Sequence, residues 1–334
     1  VGAAGIIITR HTPDVREGVT LLTSTLIAIL VVMIAARFME GEVFAFTLTE
    51  PLPGIAIAFE IEALGMLFAL VAGLLWVVTS IYSIGYMRGH NEQNQTRFFA
   101  AFAVSIAATM GIAFAANLFT LFLFYELLTL ATYPLVTHAG SPEAKRGGRT
   151  YLGILLGTSI GLLLPAIIWT YMAAGTGDFT QGGILEGKLE GPAVGLLLGL
   201  FVFGAAKAAV MPVHRWLPAA MVAPTPVSAL LHAVAVVKAG VFTITKVIVY
   251  IFGIDFLFAE PSSGWLFYAA AFTIIAASLV ALRQQQLGAD AVDLRFPESL
   301  SGLLHQVSRL RQRGQAPAGV AQLCLRSSEG QQPA

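Results

Sequence analysis

The chain has 334 residues, 57% hydrophobic and only 11% charged, and its 19 basic and 19 acidic side chains balance to a formal net charge of zero. Soluble domains average about 25% charged residues, so this composition excludes one and defines an integral membrane protein, and the zero balance leaves no electrostatic basis for binding nucleic acid. A single cysteine, Cys324, excludes an intramolecular disulfide and a cysteine-based iron–sulfur or zinc centre, and without a Walker-type loop or a dinucleotide fingerprint no cofactor or metal is expected.

The opening stretch VGAAGIII is too short to cross a bilayer, which takes about 20 apolar residues. It reads as the end of a helix or a short leader, and Arg10 and Arg16 come after it, where a signal peptide would place its basic residues first. Residues 1–18 form an N-terminal remnant and cytoplasmic segment. Eight apolar runs then predict membrane spans at 19–38, 62–86, 98–115, 117–137, 150–174, 192–222, 226–252 and 264–282. The third and fourth are joined by almost nothing, so Ala116 and Asn117 must make a tight turn.

Loop charge orients these spans. Glu40, Glu42, Glu50 and Glu60 fall in 38–61, Asp178, Glu186 and Glu190 in 175–191, and Asp255 and Glu260 in 253–263, whereas Arg88 and Arg97 flank one loop and Lys145, Arg146 and Arg149 another. Basic loops mark the cytoplasmic side, and with eight spans every basic loop lands on one face and every acidic loop on the other. Gly153, Gly157 and Gly161 make a small-residue ridge expected to admit a neighbouring helix, with Gly195 and Gly199 doing the same on the next run. Trp76 and Trp265 fit the pattern of aromatic anchors at span ends.

The most unusual stretch is 205–240, AAKAAVMPVHRWLPAAMVAPTPVSALLHAVAVVKAG. Pro212, Pro218, Pro224 and Pro226 each lack a backbone N–H, so the helix running in from residue 192 cannot pass through them unbroken. At membrane depth a break survives only inside protein or beside a wet cavity. Lys207, His232 and Lys238 share this stretch, and a charge in hydrocarbon costs roughly 2.5–3.5 kcal/mol on insertion scales. Either the lysines snorkel to an interface or the broken helix builds an ion site. Glu126 lies mid-span in LFLFYELLTLATYPLV. Burial disfavours the charged state of an acid or an amine, and an opposite charge nearby restores it, so pairing with a lysine is expected. His232 either passes protons or ties helices together. It stands six residues from Lys238, about 9 Å along a helix, so water must bridge the two. Lys246 is either a further relay or a lysine reaching the outer interface. Tyr125, Thr129 and Thr132 either hold water or make ordinary helix–helix hydrogen bonds, His214 and Arg215 supply structure and surface charge, and Trp216 shapes the second half of the break.

Lys207, then HRWLPAAMVAPTPVSALLHA from His214 to Ala233, then VVKAG from Val236 to Gly240 resemble the proton-translocating antiporter family, which comprises Mrp-type multisubunit cation/proton antiporters and the antiporter-like membrane subunits of respiratory complex I and related hydrogenases. The resemblance covers about residues 19–282 and is strongest to the Mrp D subunit. It implies an all-α polytopic membrane bundle, the first half of an inverted-repeat fold, working beside other membrane subunits of a hetero-oligomeric complex and moving protons and monovalent cations across a lipid bilayer. It also implies an intramembrane ion pair between Glu126 and Lys207, with Lys238 and His232 as the next relays. Two other readings stay open: a non-redox membrane subunit of an NADH:quinone oxidoreductase or hydrogenase-like complex, and a truncated, non-transporting remnant. The remnant reading rests on residues 283–334, an Arg- and Gln-rich tail with no apolar run able to cross a bilayer, where family members continue with further helices. The abrupt switch suggests a truncation or a change of reading frame, and a short amphipathic helix near 300–310 is expected there.

Overall fold

A computed structural model describes residues 1–229 and 235–283. His232 and the tail from 284 onward, with its expected amphipathic helix, lie outside the described residues. Among the described residues each of the eight apolar runs contributes helix, and six helices are long and apolar enough to cross a membrane by themselves. The other two runs, at 192–222 and 226–252, are interrupted.

A short helix α1 (Gly2–Ile8) seats Ile6 in the interior, and α2 (Pro13–Met39) and α3 (Ala63–Gly89) pack as a pair. The centre of the bundle is α4 (Gln95–Ala113) against α5 (Leu118–Val136). Ala116 and Asn117 make the expected tight turn between them. Asn117 caps α5 by accepting a hydrogen bond from the Thr120 N–H at 2.8 Å, and its amide donates to the Ala56 carbonyl at 2.9 Å.

The next span, α6 (Pro142–Thr158) and α7 (Leu164–Ala174), is one helix interrupted by a π-helical turn, Ser159–Leu163. Pro165 explains the irregularity, because its ring and missing N–H prevent a regular ladder one turn upstream. The glycine ridge at 153, 157 and 161 faces outward, and among the described residues nothing packs on it. Gly195 and Gly199 do meet a neighbour, Gly195 against Ser262 and Gly199 against the Trp265 ring. Trp76 is fully buried in the middle of α3 and is a core residue, not an interface anchor.

Helix α8 (Pro192–Gly204) ends eight residues before Pro212, earlier than the prolines alone require. The chain turns once through a 3-10 helix, Ala206–Ala208, places Ala209 in the left-handed region and continues through α9 (Trp216–Ala220), α10 (Thr225–Ala229), α11 (Val236–Val247) and a second π-helical turn, Ile248–Phe252. Pro212 follows the break. Pro224 and Pro226 start α10, where a missing N–H costs nothing, and Pro218 lies within α9. Two further helices, α12 (Ile254–Ala259) and α13 (Trp265–Arg283), complete the described chain.

The acidic loops do gather at one end. Residues 45–60 form an antiparallel hairpin there, β1 (Ala45–Leu52) and β2 (Ile55–Glu60), an addition to the all-helical expectation. Its alternating pattern and the Pro53–Gly54 turn, with Gly54 at positive φ, account for it. The hairpin bonds to the α4–α5 turn (Ala116 N–H to Ala58 O, 3.0 Å), which bonds to the 175–191 loop (Phe179 N–H to Ala116 O, 3.0 Å), which bonds to the second π turn (Ile184 N–H to Ile251 O, 2.8 Å). The basic segments meet at the other end, where Arg88 pairs with Asp14 and Glu17, Arg16 donates to Gln95 at 2.7 Å and Arg97 to the His138 carbonyl at 3.2 Å.

Candidate functional site

The 3-10 turn that replaces α8 carries Lys207 inward. Two close approaches hold it there: Gly204 packs against Leu163 of the first π turn, and Gly240 of α11 packs against the backbone of Lys207 and Ala208. A side chain at either glycine would drive into main chain, so both elements depend on bare backbone at these two points. Trp216, also fully buried, donates its indole N–H to the Ala206 carbonyl at 2.8 Å, tying the far side of the break back onto the turn.

Lys207 has no exposed surface. Its ammonium donates to the Tyr125 carbonyl at 2.8 Å and to the Thr129 hydroxyl at 2.7 Å, and it lies 3.1 Å from the centroid of the Tyr125 ring. The Lys207 N–H in turn donates to the Tyr125 hydroxyl at 3.2 Å. Hydrogen bonds from a charged donor contribute about 1.5–3 kcal/mol each, and a desolvated cation–π contact about 2 kcal/mol. Together they are of the same order as the several kcal/mol that burying an ion costs in a real protein. The residues flanking Glu126 are therefore direct ligands of the amine.

Glu126 is on the same turn of α5. Both carboxylate oxygens are sealed from solvent and lack a hydrogen-bond partner among the described residues. The Ser159 hydroxyl of the first π turn lies near this carboxylate but donates its proton to the Leu155 carbonyl at 2.8 Å. Lys207 acts on it electrostatically, but the two charged groups are not in ion-pair contact, and this corrects the contact pair expected from sequence. The acid and the amine share one enclosed site, with the amine held by the backbone and hydroxyl on either side of the acid. Thr132 is engaged elsewhere, with the Tyr151 hydroxyl at 2.5 Å.

The two lysines of α11 differ in burial, and for Lys246, left open between a relay and an interface lysine, the structure shows an interior position. Lys238 is exposed on the described surface, and the described residues do not bring it to Glu126 or Lys207, whereas Lys246 is completely buried. Lys246 pairs with Glu62, an acid the sequence hides because it sits at a span end in FEIEALG, where carboxylates ordinarily face water. His214 is half-buried and Arg215 exposed, as expected for structural and surface roles.

At the basic end, beyond the last turn of α5, Glu92, Arg97, Tyr133, His138 and Lys145 line a cavity of about 410 Å³. Burial, reinforced by the nearby Arg97 guanidinium, holds the His138 imidazole below its ordinary protonation range. Among the described residues no group of three His, Cys, Asp or Glu side chains converges as a metal site.

The fold and this enclosed acid–amine site define a multi-pass membrane protein of the antiporter-like kind. Residues 115–288, just over half of the chain, match the family described as NADH:quinone oxidoreductase/Mrp antiporter, TM, and residues 53–99 match the complex I chain 5 N-terminus. The chain belongs to this NADH:quinone oxidoreductase/Mrp antiporter family. It is 31% identical over 241 residues to a Staphylococcus haemolyticus protein named as antiporter subunit mnhA2, covering 69% of this chain and 28% of that one. It is also 31% identical over 198 residues to NAD(P)H-quinone oxidoreductase chain 5 of Synechocystis, covering 56% and 28%. Neither bears the D-subunit name that the signature most resembles. The archaeal membrane-bound sulfane sulfur reductase, a respiratory membrane complex, contains a chain of the same fold, with a TM-score of 0.69 at 22% identity over 85% of this chain and 57% of that one. The chain spans little more than a quarter of the length of these curated relatives.

Proposed function

We propose that this chain is part of a membrane subunit of a multisubunit monovalent cation/proton antiporter, in a bacterial inner membrane, where it moves protons in exchange for sodium or potassium. One observation carries the reading: a fully buried amine, Lys207, sits in the break of a helix beside a sealed carboxylate, Glu126, that has no hydrogen-bond partner of its own among the described residues. Swinging that carboxylate toward the ammonium favours the protonated amine, and withdrawing it favours release, so a small movement of α5 or of the π turn at Ser159 switches the site between holding and giving up a proton. His232 and Lys238 are proposed as the following relays, with Lys238 handing protons to groups packed over the exposed face of α11. The antiporter name of the Staphylococcus relative supports the exchange reaction. In everted vesicles containing the assembled complex, adding sodium or potassium after acidification is expected to restore the internal pH. No cation-induced recovery would contradict antiport.

The chain 5 relative, matched at the same identity, favours a second reading in which the complex is a quinone-linked respiratory enzyme and this chain its proton-moving membrane part. Purification of the intact complex separates the two, because iron–sulfur or flavin absorbance accompanies only the redox assembly.

A further inference from the structure

Lys246 is the second fully buried lysine of the bundle, and it lies outside the Glu126–Lys207 site. Besides its ion pair with Glu62, its ammonium donates to the Ala115 carbonyl at 2.6 Å and lies 4.3 Å from the Phe179 ring centroid and 5.6 Å from that of Phe242. The α4–α5 turn, the start of α3, the 175–191 loop and α11 thus all close on one amine. Two acids act on it, Glu62 and the exposed Glu60 at the end of β2, and the hydroxyl of Tyr250 of the second π turn lies beside the Glu62 carboxylate. Asp178, the acid next to Phe179, is turned to the Thr176 hydroxyl at 2.8 Å.

Exposure is graded along this group. Glu60 is open, the Glu62 side chain is 18% exposed and Lys246 not at all. The gradient runs from solution at the acidic-loop end toward the interior. Six residues further along α11 from Lys246, about 9 Å at 1.5 Å per residue, Gly240 touches the backbone of Lys207. Thr243 is buried between them, its hydroxyl donating to the Ala239 carbonyl at 2.7 Å. Each acid–amine group also borders a π-helical turn, an irregularity that recurs at functional sites.

We propose that Glu62 and Lys246 form a second proton-exchange site, an outer gate connecting the Glu126–Lys207 site with the solution at the acidic-loop end. This rests on the proton-path reading above. The step is a proton transfer only: the Lys246 ammonium gives its proton to the Glu62 carboxylate, and the resulting carboxylic acid passes it to water. A lysine suits such a step, because an amine is able to lose its proton where a guanidinium stays charged.

That difference supplies the test, made on the full-length protein in its assembled complex in everted vesicles. Lys246→Arg keeps the charge and the reach to Glu62 but cannot release a proton. Cation-induced pH recovery is expected to slow by at least about tenfold with assembly intact on native gels. Recovery within twofold of wild type would overturn the gate. If the larger guanidinium blocks assembly, Glu62→Gln is measured instead, with the same loss and a displaced pH profile expected. A normal rate with an unchanged profile overturns the proposal, as does failure of both variants to assemble, which would assign the pair to folding. Wild-type vesicles with recovery that Lys207→Ala abolishes, alongside a normal Lys246→Arg, refute the gate alone. Wild-type vesicles without recovery refute the proton path and the gate with it.

Discussion

Lys207→Ala is expected to abolish cation-induced pH recovery in everted vesicles, with a loss of roughly 100-fold or more, the scale at which a positioned proton-transfer group contributes. The ammonium ties the break to α5 through the Tyr125 carbonyl, the Thr129 hydroxyl and the Tyr125 ring, beside the backbone N–H bond of Lys207 to the Tyr125 hydroxyl. Truncation removes the proton carrier with its two hydrogen bonds, leaves the Thr129 hydroxyl donating to the Tyr125 carbonyl at 3.2 Å, and empties the volume of a fully buried side chain. Assembly must therefore be checked on native gels, and Lys207→Met serves as the companion variant because it fills most of the vacated volume without the charge. Loss of exchange in an assembled Lys207→Met complex assigns the effect to proton handling. Normal exchange in either variant would remove Lys207 from the path.

Glu126→Gln is expected to produce a comparable loss, roughly 100-fold, with little effect on assembly. The carboxylate oxygens make no hydrogen bond among the described residues that a near-isosteric amide would break, and Lys207 keeps its contacts with Tyr125 and Thr129. Removing the charge therefore leaves the architecture and removes the electrostatic lever. Exchange in Glu126→Gln within twofold of wild type would show that the amine cycles without the acid.

The eight apolar runs, the tight turn at Ala116–Asn117 and the break after α8 were legible because bilayer thickness and proline stereochemistry act locally and strongly. The exact end of α8 was not. Its terminus at Gly204 is set by contact with Leu163 and by Gly240 against the turn, and both partners are distant in sequence. Lys238 and Lys246 could not be ranked for the same reason. Helix α11 emerges from a run that is apolar on most sides, so the pattern does not reveal which face the neighbours bury, and the structure buries Lys246. Glu62 was hidden by its position at a span end. The outward glycine ridge at 153, 157 and 161 shows the converse, a packing pattern with no partner within the described residues. Lys207 and Glu126 were singled out because a charge within a long apolar run stands out wherever the chain folds it, but the missing contact between them depends on side-chain placement that spacing does not encode.

The most direct test is infrared difference spectroscopy of the assembled complex between acid and alkaline pH, with the carboxylic acid band of residue 126 assigned by its loss in Glu126→Gln. If the acid and the amine trade protonation states, Lys207→Met must shift the pH at which that band appears. A band that titrates identically with and without the lysine would show that the two groups do not communicate.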